Sequence, residues 1–233
     1  MASEAKRGAV RLATNYGRLM STLLIGLLEV PLQIYWLGKD GFALIGLLGP
    51  TIGLTAILQD MVTRSMVREL GVAYHSGDDA KFRAVTNACW AISIVAAIIS
   101  AGLFAILTFL VVPNLTMPPS FVAPTQWYTA TGGVMSCMLI LFTPTANMYL
   151  VAERFALQNT WIVGRRLCFF VSAVVLLLVM GRNDVPASIR MYGIVSSLAV
   201  IGLLLLSVVM MWSSDRRTIP KPWKADRETL REI

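Results

Sequence analysis

Charge is scarce in this chain: Asp, Glu, Lys and Arg make up 14% of its 233 residues, against roughly 25% in an ordinary soluble domain. With 56% of positions apolar, a water-soluble fold of this size lacks the polar surface to cover its own core. Histidine is limited to His75, so a site of several imidazole ligands cannot be assembled; it sits beside Ser76-Gly77-Asp78-Asp79, which reads as a polar turn. Phosphate-cradling glycine loops, a serine nucleophile elbow and spaced aspartates for phosphotransfer are also missing. The sequence therefore carries no enzyme signature and calls for no cofactor or metal. The three cysteines, Cys89, Cys137 and Cys168, fall inside apolar blocks, which argues for small apolar packing and against a disulfide framework. No basic run interleaved with aromatics points to base recognition, so nucleic acid is not an expected partner despite a net charge of +7.

What is abundant is apolar sequence in separate blocks. Each is about 20 residues or longer, the length at which a helix crosses the hydrocarbon layer with its backbone hydrogen bonds satisfied internally. The blocks lie at residues 18–37, 42–60, 84–112, 128–151, 160–180 and 190–212. The second continues as an amphipathic stretch through Leu70, and the third is longer than a bilayer requires. The sequence thus predicts an all-α integral membrane bundle of six transmembrane helices. Its organisation is a cytoplasmic amino-terminal segment over 1–17, a six-helix lobe over 18–212, and a basic cytoplasmic tail over 213–233 with a short helix from Ala225. Between the third and fourth blocks, Pro113, Pro118, Pro119 and Pro124 in an uncharged run predict a stiff external turn from Val112 to Trp127.

Orientation follows from the basic residues, which are retained on the cytoplasmic side near helix ends. Of the 20 lysines and arginines, all but Lys39, Arg182 and Arg190 flank the side that carries both termini. That asymmetry favours an even number of spans with both ends cytoplasmic. It also places the basic groups beside anionic headgroups, each worth about 1 kcal/mol of attraction near a charged leaflet.

Polar residues inside the blocks mark faces that lipid cannot solvate. Glu29 lies near the middle of the first, where an ionised carboxylate costs several kcal/mol unless water or a partner meets it. Helical spacing joins it to Thr22, Gly26, Gln33 and Trp36 on one stripe, with Pro31 placed to bend the helix. Two roles fit equally: binding of a cation, proton or polar substrate, or a structural carboxyl paired within the bundle. In the second block Gly46, Gly49, Gly53 and Ala56 form a small-residue face for close helix contact, and Asp60 and Arg64, one turn apart, are placed to pair. The fourth block is polar along Thr129, Gly132, Ser136, Thr143 and Asn147, with Pro144 interrupting it. Such a face belongs inside a bundle or along a cavity, although hydroxyls also bond back to their own helix. Glu29, Gln33, Thr143 and Asn147 are therefore the candidate substrate or ion pathway.

Three segments carry a family resemblance. The run Leu37-Gly38-Lys39-Asp40-Gly41-Phe42-Ala43-Leu44-Ile45-Gly46 resembles the first external turn and second helix of polysaccharide flippases of the multidrug/oligosaccharidyl-lipid/polysaccharide exporter superfamily. Asp60-Met61-Val62 through Arg68-Glu69-Leu70 resembles the polar end of their second helix, except that Met61 or Val62 stands where a glycine is usual. Glu153-Arg154-Phe155 with Leu157-Gln158-Asn159 is similar to the segment joining their fourth and fifth helices. Members of that family have two six-helix lobes, and this chain looks like the amino-terminal lobe. The resemblance implies a bacterial inner-membrane protein that moves a lipid-linked oligosaccharide by alternating access. It implies a second copy or a second-lobe partner, and anionic headgroup capture by basic residues at the cytoplasmic mouth, here Arg18, Arg64, Arg165 and Arg166. A cation-coupled drug antiporter of the same superfamily is the near alternative, and a non-transporting scaffold or inactive remnant is the reading from another class.

Overall fold

The structure, a computed structural model, describes residues 2–220, with side chains described for all of these except 2–11, 49–59 and 62. The helix expected from Ala225 and the packing of Gly49, Gly53 and Ala56 lie outside what is described. Among the described residues every regular element is helical. α1 runs Ala2–His75, α2 Asp79–Ile106, α3 Pro119–Leu141, α4 Thr143–Val151, α5 Phe155–Met180 and α6 Val185–Ser214, with a π turn at Leu107–Val111 and 3-10 turns at Val112–Asn114 and Arg216–Thr218. Four helical stretches are long and apolar enough to cross a membrane, and a fifth is added when the bent pair α3 and α4, at 47°, is taken as one span.

α1 is not one rod. Gly38 has φ 71° and ψ −180°, a conformation open to glycine because it has no Cβ. The polar cluster Lys39-Asp40-Gly41 follows it directly. In an unbroken helix residues 15 and 63 would stand roughly 70 Å apart. Instead Asn15 accepts a hydrogen bond from Asn159 near the start of α5, and Thr63 shares a cavity wall with Gln158 and Trp161 of the same helix. The chain therefore turns back at Gly38, giving α1 a first arm and a returning second arm. The turn is tight: a Cβ on Gly41 would lie 3.0 Å from that of Leu37 and 2.8 Å from Val185 Cγ1. Pro31 stays within helical backbone angles, so the interruption comes from the glycine seven residues on.

The later elements start where the sequence supplies caps. Asp78 accepts from the backbone N–H groups of Ala80 and Lys81 at the head of α2, and Asp184 from that of Ala187 at the head of α6, each cap worth about 1 kcal/mol. The proline-rich segment differs from expectation. Helix α3 begins at Pro119, so most of the predicted external turn is helical. Proline needs no hydrogen-bond acceptor in a first turn and is preset for helix there, so the cluster marks a helix start. Helix α6 likewise begins at Val185, ahead of the predicted residue 190.

Close contacts without side-chain bulk hold the bundle. Where α3 meets α6, a Cβ on Gly193 would lie 2.8 Å from the backbone Cα of Tyr128. Where α2 meets α3, one on Gly133 would lie 2.7 Å from the Phe104 ring. Small residues permit such approach between apolar helices. One apolar core gathers Met66, Leu70, Phe82, Val85, Met148, Tyr149 and Met211; another gathers Trp36, Leu37, Ile45, Leu176, Ile189 and Tyr192. Outward faces are apolar too: Leu23, Leu24, Leu27 and Leu28 of the first arm are exposed, as are Leu178 and Val179 of α5, at 79% and 76%. A contiguous surface of this kind is a liability in water and is at home in lipid.

At the end of the bundle holding the α1–α2 turn and the end of α6, Arg217 ties these elements together. Its guanidinium lies 2.7 Å from Asp79 and 2.9 Å from Asp215, and over the rings of Tyr74 and Phe82 at 5.6 and 5.4 Å. The hydrogen bond from Arg217 holds the Asp215 carboxyl below the usual aspartate range.

Two outcomes are expected. Gly193→Leu lowers stability by about 1–3 kcal/mol through overpacking, whereas Gly202→Leu, with open space around its Cα, leaves the detergent-phase melting temperature within a few degrees of wild type. The depressed Asp215 value means its contribution is fully present above the unfolded aspartate pKa of about 3.9 and is lost as pH falls through the lower folded value. The melting-temperature gap between wild type and Asp215→Asn should therefore be widest at neutral pH and close below pH 4.

Candidate functional site

The stripe on the first arm of α1 meets α6 in a compact polar knot. Gln33 Nε2 donates to Glu29 Oε1 at 3.1 Å and to the Tyr192 hydroxyl at 2.9 Å. The Tyr192 hydroxyl in turn donates to the same Glu29 oxygen at 3.3 Å. Arg166 of α5 approaches the other carboxylate oxygen, with its Nη1 3.7 Å from Oε2. Glu29 and Gln33 are 8% and 6% exposed, so the knot is an interior feature. Arg166 is half-exposed, which lets it swing away from the carboxylate without breaking the core.

Aromatic rings fix the tyrosine. Tyr128 of α3 stacks on Tyr192 with centroids 6.3 Å apart and planes 10° from parallel, and Trp36 meets it edge-on at 5.9 Å. Trp36 is itself anchored, its Nε1 donating to the Gly181 carbonyl at the end of α5 at 2.9 Å. A cavity of about 280 Å³ opens beside the knot, bounded by Glu29, Gln33, Tyr128, Arg166, Tyr192 and Ser196. It offers a carboxylate, a guanidinium, two phenols and a hydroxyl to whatever enters. An exchangeable proton or small cation at Glu29 would compete with Arg166 for the carboxylate. The described residues hold no group of three or more His, Cys, Asp or Glu side chains placed for a metal.

The four pathway residues do not form one site. Glu29 and Gln33 bound this cavity, whereas Thr143 and Asn147 bound a second one of about 220 Å³ on the other side of the α3–α4 break. The polar stripe of the fourth block is inward throughout: Thr129, Ser136, Thr143 and Asn147 are all buried. The break falls at Phe142, with φ −93° and ψ 11°, two residues before Pro144, whose ring and missing N–H disrupt the preceding turn. Thr143 and Thr129 donate back to the carbonyls of Leu139 and Thr125, so part of the stripe is satisfied locally.

The four basic residues also separate. Arg166 sits on Glu29, and Arg165 lines the second cavity. Arg64 pairs with Asp60 at 2.7 Å on the exposed surface, one turn away as its spacing implied. Arg18 lines neither cavity. Sequence reading missed Tyr192 and Tyr128. For Tyr192 a signal was available: Ser188, Tyr192 and Ser196 recur every fourth residue and all are buried, a polar stripe on α6 like the one that exposed Glu29 on α1.

No protein-family model matches the chain, and no curated protein or solved structure matches it either.

In this geometry Gln33→Leu removes the donor shared by the Tyr192 hydroxyl and Glu29 Oε1, leaving only the 3.3 Å bond between them. A loss of about 1–3 kcal/mol is expected. Thermal unfolding in detergent checks it, and Gln33→His, which keeps an N–H donor, should recover part of the difference.

Proposed function

We propose that the chain is a membrane transport lobe of six spans, with both termini cytoplasmic, that carries lipid-linked oligosaccharide or polysaccharide precursors across a bacterial inner membrane. The observation that carries the transport reading is the buried Glu29 carboxylate beside a polar cavity, held by Gln33 and Tyr192 and faced by a half-exposed Arg166. An intramembrane ionisable group of this kind is costly and is retained where something is bound or moved. The turn at Gly38 supports the span count, since it divides the first apolar stretch into two antiparallel arms. The basic asymmetry supports the orientation, and the three short motifs support the oligosaccharide cargo.

One six-helix lobe presents half of a transport pathway. A second copy or a second-lobe protein, related by an axis along the membrane normal, would supply the other half. The same buried carboxylate also favours a second reading, a cation-coupled antiporter for small organic substrates. In both, protonation or cation binding at Glu29 frees Arg166, and the charge change alters which arrangement of the bundle is preferred.

Glu29→Gln separates transport from structure, because the amide keeps the hydrogen-bonding shape and removes the charge. In a proteoliposome or complementation assay the variant should lose most transport and its pH dependence while melting within a few degrees of wild type. Activity equal to wild type at every pH would remove Glu29 from the mechanism. Flipping of a fluorescent lipid-linked glycan without drug efflux supports the first cargo, and the reverse supports the second. Native mass spectrometry in lipid on the same preparation should show a pair; a stable, active monomer would rule out the two-copy arrangement.

A further inference from the structure

A third cavity, of about 390 Å³, lies between α2 and α3 and is almost wholly apolar. Ala97, Ala101 and Ala105 line it from α2, and Ala130 and Gly133 from α3, with the Phe104 ring packed on Gly133 as part of its wall. Its rim reaches the outer surface of the bundle, where Phe109 is 71% and Val134 55% exposed. A groove so lined and so placed draws its occupant from the hydrocarbon around the helices.

Thr108 carries the one hydroxyl among the described residues of that wall. It is 3% exposed, and among the described residues its Oγ1 has no hydrogen-bond partner. Other hydroxyls of the bundle, among them Thr22, Thr129, Thr143, Ser172 and Ser196, donate to the carbonyl four residues earlier, the usual refuge of a hydroxyl in an apolar helix. Thr108 falls inside the π turn at Leu107–Val111, where the four-residue register gives way to five. A buried hydroxyl in this position keeps its desolvation cost until an acceptor arrives.

The dimensions say what that acceptor belongs to. The groove runs from Ala97 to Thr108 along α2 and from Leu141 to Ala130 along α3, each run about 16 Å long at the helical rise. That is the depth of one leaflet, half of a hydrocarbon core about 30 Å thick. Thr108 stands at the end nearer the α2–α3 connection, where Gln126 Nε2 donates to its backbone carbonyl at 3.3 Å. The next residue, Trp127, is exposed, and an exposed tryptophan settles where hydrocarbon meets headgroups. The hydroxyl therefore lies near the ester level of a lipid, with the apolar run extending from it toward the mid-plane.

We propose that this groove holds one glycerol-ester lipid of the leaflet on that side, with an acyl chain between α2 and α3 and an ester carbonyl accepting from Thr108 Oγ1. The carbonyl supplies what the hydroxyl lacks, and the chain fills the alanine-lined wall. The inference is separate from the transport reading, since it needs neither Glu29 nor a cargo.

The full chain is reconstituted in nanodiscs of equal parts diester and diether phosphatidylcholine with matched hexadecyl-length chains, which differ only in the carbonyls. After mild release, the lipid that stays on each chain is read by native mass spectrometry. Wild type should keep one lipid and favour the diester form by about threefold to tenfold. Thr108→Val, which keeps the shape and removes the donor, should bring the two lipids to parity, and Thr108→Ser should restore the preference. Ala101→Phe, which fills the groove, should lose both lipids, whereas Leu178→Phe, on the exposed face of α5, should behave as wild type. Parity in wild type, or an unchanged preference in Thr108→Val, overturns the proposal. So does an Ala101→Phe chain that keeps its lipid but no longer pairs, because the groove is then a contact between two copies. Should Ala101→Phe fail to fold, the Thr108 variants decide the question. Glu29→Gln should keep the lipid with the same preference, so a loss of transport in that variant and a failure of this site are read apart.

Discussion

The carboxylate of Glu29 is the constraint around which the bundle is arranged. A charged group so placed has few ways to persist: a donor on its own helix, a donor on a neighbour, and an opposite charge within reach. The chain supplies one of each, in Gln33, Tyr192 and Arg166. Each partner fixes something larger. Gln33 dictates which face of the first arm points inward, Tyr192 sets the rotation of α6, and Arg166 brings α5 alongside. The rings of Tyr128 and Trp36 then hold the phenol so that its hydroxyl stays aimed at the carboxylate. The polar knot thus orients helices whose apolar packing is poorly directional.

That division of labour follows from the surroundings implied by the outward faces. Between apolar helices in lipid there is little hydrophobic force to favour one rotation over another. Specificity comes from small residues that let backbones approach, such as Gly193 against Tyr128, and from a few directional polar bonds. The two cavities flank these contacts with different character, one containing a carboxylate and the other an arginine without any carboxylate.

Much of this was legible from spacing. The period of the helix places Glu29, Gln33 and Trp36 on one face and predicts that they are buried together, as they are. It does the same for Thr129, Ser136, Thr143 and Asn147, and Pro144 announced the interruption beside them. The pairing of Asp60 with Arg64 is likewise a local fact. What local spacing does not encode is which distant helix answers each face. Tyr192 lies 163 residues from the carboxylate it bonds, and nothing in either segment names the other. For the same reason Arg165 and Arg166, adjacent in sequence and grouped together by their charge, diverge to opposite cavities, because successive residues on a helix point about 100° apart. The proline cluster before α3 misled for another reason, since proline both ends and begins helices and composition alone does not distinguish the two.

The Arg217 clamp gives the molecule a temporal order as well as a spatial one. Its partner Asp79 is 138 residues earlier in the chain, so a ribosome must complete α1 to α6 before the turn between α1 and α2 is secured. Until then that end is held by apolar contacts, including those of Met148 and Tyr149 of α4 with Met66 and Leu70. Assembly at that end is therefore closed only after α6 is made, like a drawstring pulled after the bag is sewn, and a chain stalled or cut between Ser214 and Arg217 would insert α1 to α6 yet leave that end open.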